Sequence, residues 1–113
     1  MLVMAYDEVL ADRIREVLAE VDGVTERKMF GGLGFMVHGH MAAAAASEGA
    51  LMVRVDPAAG AEWVDGESVR PMEMGNRTLN GWLLVARDEL EDDSSLRTWV
   101  SRGVAFVQAL PPK

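Results

Sequence analysis

Lys28-Met29-Phe30-Gly31-Gly32-Leu33-Gly34-Phe35-Met36-Val37-His38-Gly39-His40-Met41 decides the fold. Val24 to Phe30 carries strand formers, and Gly31-Gly32 turns the chain. Leu33 to Val37 is a second strand, His38-Gly39 a hairpin turn, and His40 to Ala46 a third strand. Glycines and methionines shape a surface, and the stretch holds no paired nucleophile and base.

Outward from this stretch the periodicity changes twice. Tyr6, Val9, Leu10, Ile14, Val17, Leu18 and Val21 form one stripe at helical spacing, so a helix is predicted over Tyr6 to Val21. Asp22-Gly23 stops it. Downstream, Ser47-Glu48-Gly49 is a turn and Ala50 to Asp56 a fourth strand. Ala42 to Ala46 is a local conflict, because alanine favours helix by intrinsic propensity. Five residues between turns cannot nucleate one, so the run reads as a strand that lets another element pack closely.

Pro57 opens a short helix to Val64, which Asp65-Gly66 ends. Val69 to Met74 is extended, and Pro71 suits an edge position. Gly75-Asn76-Arg77 turns the chain into a strand over Leu79 to Ala86. Asp92-Asp93-Ser94-Ser95 offers a cap for a last helix. Its stripe is Leu96, Trp99, Val100, Gly103, Phe106, Val107 and Leu110, and Pro111-Pro112 closes it. The order is α-β(3-4)-α-β(2)-α. Without a crossover helix after each strand, this predicts an α+β fold. It would be two-layered, with an antiparallel sheet of five to six strands and helices on one face.

The 113 residues make one domain, 1-113. A net charge of −7 argues against a general nucleic-acid binder, which needs clustered Lys and Arg. The absence of cysteine excludes disulfides and thiolate chemistry and suits a reducing cytosol. No apolar run approaches a membrane span, and the apolar Met1 to Ala5 is too short for a signal peptide.

Candidate chemistry is thin. Gly31-Gly32-Leu33-Gly34 lacks the Gly-Lys-Ser/Thr and helix start of a phosphate loop, and reads as a bend. His38 and His40 are too few for a zinc site and read as turn histidines. Asp88, Glu89, Glu91, Asp92 and Asp93 precede a helix and read as caps. No serine stands in a nucleophile elbow. The expectation is a non-enzyme with no cofactor and no metal.

Alternation gives more. Leu33, Phe35 and Val37 alternate with Gly34, Met36 and His38, and Leu51, Val53 and Val55 with Met52, Arg54 and Asp56. Leu79, Leu83 and Val85 alternate with Asn80, Trp82 and Leu84. One set joins the helices. The other holds Met36, Met52, Arg54, Trp82 and Leu84, too apolar for a plain solvated face. Such side chains favour interfaces, so the face is expected to form a homodimer or receive a protein partner. The bland alternative is that a helix covers it, or that a register slip exchanges the faces. A basic cluster of Lys28, Arg54, Arg70 and Arg77 would bind an anion if the strand ends converge; scattered surface charge is the plainer reading.

The chain resembles the N-terminal domain of the TfoX/Sxy family of bacterial competence regulators. The likeness rests on Lys28-Met29-Phe30-Gly31-Gly32, Phe35-Met36-Val37-His38-Gly39, Leu51-Met52-Val53-Arg54-Val55, Arg70-Pro71-Met72, Gly81-Trp82 and the helix from Leu96 to Leu110. It implies a two-layer α+β domain and a cytoplasmic regulatory role through protein contacts, with a transcription regulator as partner class. The chain ends at Pro111-Pro112-Lys113, so the expectation is a stand-alone N-terminal domain without the family's C-terminal helical domain, and without direct DNA contact. The family supplies no catalytic residues to carry over. The expected contact residues are Lys28, Met29, Phe30, Gly31, Gly32, Met36, Met52, Arg54, Arg70 and Trp82. The alternative is small-molecule or anion binding through Lys28, Arg54 and Arg70.

Overall fold

The computed structural model describes residues 6–29, 31–74 and 76–111; the side chains of Met29 and Met74 lie outside that description. Phe30, Gly75, Met1 to Ala5 and Pro112-Lys113 therefore fall outside the described residues.

The elements run α1 (Glu8–Val17), β1 (Val24–Met29), β2 (Gly32–Val37), β3 (His40–Ala45), β4 (Leu51–Arg54), α2 (Pro57–Trp63), β5 (Val69–Met74), β6 (Arg77–Val85) and α3 (Asp93–Gln108), with a 3-10 turn over Arg87–Leu90. The six strands form one antiparallel sheet in the order β1-β2-β3-β4-β6-β5. Pro71 lies in the edge strand β5, as its missing N–H requires.

The first helix is shorter than its apolar stripe predicts. Asp7 fixes its start, accepting from the Val9 and Leu10 amides at 2.8 and 3.2 Å. Tyr6 instead makes an antiparallel bridge to Ser47. Leu10, Ala11, Ile14 and Leu18 are buried, whereas Val9 is 68% exposed. The true stripe is therefore narrower than the sequence pattern.

The alanine run is the strand β3; Ala42, Ala43 and Ala45 belong to the core that α3 covers, and Ala44, also buried, faces the other way. A Cβ added to Gly103 of α3 would collide with the Ala42 carbonyl oxygen. Small residues on both elements let backbone meet backbone. Similarly, a Cβ on Gly60 of α2 would stand 2.6 Å from Val55 Cγ2. Trp63 and Trp99 then tie α2 to α3, edge to face at 5.9 Å. The Arg102 guanidinium sits over both rings, at 4.1 and 4.5 Å.

All three helices share one face of the sheet. They cover Leu33, Phe35, Val37, Leu51, Val53, Val55, Leu83 and Val85, which are at most 4% exposed. Leu79 departs from the predicted alternation. Pro71 pairs with Leu83 but Met72 pairs with Leu79, so Asn80-Gly81-Trp82 bulges out of the β5–β6 ladder, while Trp82 stays paired with Arg54 of β4. Gly81 takes φ 85° there, and its carbonyl accepts from the Val55 amide at 2.8 Å. The bulge moves Leu79 to the face opposite the helices.

The acidic run does not cap by side chain. Asp92 holds the position before α3 but makes no side-chain cap bond. Instead Asp93 receives Arg13 of α1 at 2.9 Å, and Arg13 also donates to the Leu90 carbonyl at 2.8 Å. The run docks α1 against the start of α3.

Candidate interaction surface

Strand pairing lays one row of residues across all six strands on the face away from the helices. It reads Arg27, Gly34, Ala44, Met52, Leu84, Arg70 from β1 to β5. Partners in a ladder share a side, so the row has arginine at each end and apolar or small residues between. Five strand spacings separate its ends by about 24 Å.

Methionine dominates the rest of the face. Met36 pairs with Met41, and Met72 with Leu79. Gly34 leaves room for Met41, whose Cε would stand 2.8 Å from a Cβ added there. Met41, Ala44, Met52, Met72, Leu79 and Trp82 line an apolar trough of about 360 Å³. Met36, Met52, Trp82 and Leu84 are half-buried, sheltering one another rather than standing alone in water. No helix among the described residues covers them: α1, α2 and α3 all pack on the other side.

Alternation misplaced Leu79, and β3, with Met41, was not assigned a face. Met41 shares parity with the buried Ala43 and Ala45, but a register shift opposite Phe35 and Met36 turns it to the trough. Leu79 crosses over through the bulge at Gly81. Arg27 and Met72 were also absent from the expected set. Their side depends on which residue faces them across the ladder, which a single strand does not state.

The expected contact residues do not form one site. Met36, Met52 and Trp82 share this face. Gly32 lies at its border and lines the trough, while Gly31 is the exposed turn residue with φ 78°. Phe30 and the Met29 side chain are outside the described residues. Lys28 pairs with Leu33, so it belongs to the helix side. Lys28 and Arg70 also stand on opposite edge strands. The convergence that an anion cluster of Lys28, Arg54 and Arg70 requires is therefore not found. Arg54 is half-buried at the end of β4, its guanidinium 5.8 Å from the Trp82 ring and 5.5 Å from Phe106 of α3. It bridges sheet and helix by cation–π contact.

The histidines do other work. His38 is exposed in the β2–β3 turn with φ 49°, followed by Gly39 at φ 87°. His40 Nε2 lies 2.7 Å from the Pro111 carbonyl and must donate to it, while its buried Nδ1 has no partner among the described residues. Among the described residues no three His, Asp or Glu side chains are grouped as a metal centre requires.

Charge is sorted between the two faces. Of 18 acidic residues only Glu26 and Glu73 lie in strands. Glu26 pairs with the buried Phe35 and so belongs to the helix side; Glu73 alternates with Met72 but is exposed on the edge strand, where it shares a hollow with Arg70. Arg27, Arg54, Arg70 and Arg77 hold the charged strand positions on the trough side. None of the four meets a carboxylate among the described residues. A chain of net charge −7 thus presents a paired row across this face whose only charges are positive.

These features define a two-layer α+β domain with helices on one side and, on the other, a methionine-lined sheet that no helix among the described residues covers. The chain belongs to the TfoX N-terminal domain family, whose model matches residues 16–107. A crystal structure of Deinococcus radiodurans protein DR2400, with the domain DUF419, has a similar fold. It superposes with a TM-score of 0.72 at 21% identity, over 97% of this chain and 84% of that one. The comparison with curated proteins gave no match. No helix among the described residues is long and apolar enough to cross a membrane.

Proposed function

We propose that this domain is a cytoplasmic regulatory module that acts by binding another protein through the face opposite its helices, in transcriptional regulation. The observation that carries the reading is the trough of Met41, Met52, Met72, Leu79 and Trp82, which no helix among the described residues covers. Methionine is flexible and polarizable, so a methionine-lined surface adapts to a partner's apolar side chains. Tryptophan and arginine at its margin are the residue types that dominate binding energy at protein interfaces. The family's association with competence regulators supports the regulatory part, and the lack of cysteine suits a reducing compartment.

The test is affinity capture on the immobilised chain from lysate of its source organism, beside the Met52→Glu and Trp82→Glu variants. Both substitutions put charge in the trough; Trp82→Glu also removes the ring beneath Arg54, so Met52→Glu is the cleaner of the two. We expect a defined protein retained by the parent chain and lost from both variants, with far-UV circular dichroism unchanged. Equal retention by folded variants, or a retained metabolite with no protein, would count against the reading.

A further inference from the structure

We propose that the occupant of this face is an acidic amphipathic segment of the partner protein, its apolar side chains in the trough and its carboxylates on Arg27 and Arg70. The inference rests on the protein-binding reading above and adds the partner's chemistry. Three observations carry it. The row Arg27, Gly34, Ala44, Met52, Leu84, Arg70 has cations only at its ends. Its middle is wholly apolar: Met41 lies over Gly34, Ala44 is buried, and Met52 and Leu84 are half-buried. No acid pairs into that row, although the whole chain is strongly acidic; the nearest strand carboxylate is the exposed Glu73 on β5, which shares a surface hollow with Arg70.

The geometry sets the segment's length. A helix spanning about 24 Å between the terminal arginines needs about sixteen residues. Its acids would flank an apolar stripe at helical spacing. A second copy meeting face to face would oppose arginine with arginine, with no carboxylate in the row of either copy to compensate. Duplex nucleic acid asks for a continuous basic stripe, whereas here the cations are separated by an apolar centre. Charge complementarity therefore favours an acidic protein segment over both.

The experiment is selection of a displayed library of random sixteen-residue segments on the whole immobilised chain, with counter-selection on Met52→Glu. We expect the enriched segments to combine large apolar residues with net negative charge. The double variant Arg27→Glu/Arg70→Glu, still folded by circular dichroism, should weaken them at least about fivefold. On that variant the selection should turn to Lys-rich segments. Enriched segments that are neutral or basic, or that ignore the charge reversal, would overturn the inference while leaving protein binding intact. Absence of any enrichment dependent on Met52 would instead defeat the underlying reading. A duplex oligonucleotide shifting the Met methyl resonances, or concentration-dependent self-association abolished by Met52→Glu, would assign the face to another occupant and overturn the proposal.

Discussion

At Gly103 two general rules oppose each other. In an exposed helix interior, replacing glycine by alanine gains up to about 1 kcal/mol. Here the added methyl would strike the Ala42 carbonyl across a backbone-to-backbone contact. Overpacking a well-packed core costs about 1–3 kcal/mol. We therefore expect Gly103→Ala to lower stability on balance, read as a smaller urea midpoint with an unchanged slope. The sequence made Gly103 legible as a member of the α3 stripe. It also made the alanine run legible as a strand suited to close approach. Their apposition required the tertiary arrangement.

Glu26 gives a pH-dependent effect at the same scale. Arg15 grips its carboxylate by two bonds, from Nε at 2.6 Å and Nη2 at 2.8 Å. These bonds hold the Glu26 pKa below its ordinary 4.5, against a smaller opposing effect of burial. A depressed carboxylate stabilises the fold above its unfolded pKa. That contribution fades as pH falls through the lower folded value. The pair is more than a third exposed, so water screens it to under about 1 kcal/mol. We expect Glu26→Gln to be less stable than the parent at pH 7, with the gap narrowing at an acid pH below the ordinary carboxylate range. Paired urea titrations at the two pH values would check this, and a gap that widened in acid would contradict it.

Between elements, the tryptophan pair and Arg102 hold α2 against α3. Both rings and the guanidinium are in contact, so Arg102→Ala removes cation–π attraction and alkyl packing together. We expect a loss of about 0.5–2 kcal/mol and a changed tryptophan near-UV signal, with Arg102→Lys recovering part of it. Thermal unfolding followed at near- and far-UV wavelengths would separate loosening of α2 from global unfolding. Element type and order were largely legible, because helical and alternating patterns survive in a single sequence. Val9 was misread because helical spacing defines a stripe more broadly than the neighbouring elements cover it. Leu79 was misread, and Met41 was left unplaced, because a bulge changes parity without changing local composition. Their placement follows from pairing across the ladder, a relation between distant segments.

For the whole molecule, the decisive arrangement is the separation of the helices from the methionines and the strand arginines. Met36, Met52, Trp82 and Leu84 were legible on the uncovered side from alternation alone. The failure of Lys28 and Arg70 to meet was not, because the sheet inserts β6 between β4 and β5 and sends β5 to the far edge. The capture and selection experiments belong to this scale, since both ask whether the whole face acts as one surface.

An oily layer left bare invites stacking into fibres, and the rims of this sheet answer that hazard. One border carries Arg27 and Lys28; the other carries Pro71, which offers no amide hydrogen to an incoming strand. Lateral growth of the ladder is thereby discouraged at both margins. The molecule can keep a sticky plane wetted and waiting, approachable from above while its flanks stay closed to extension.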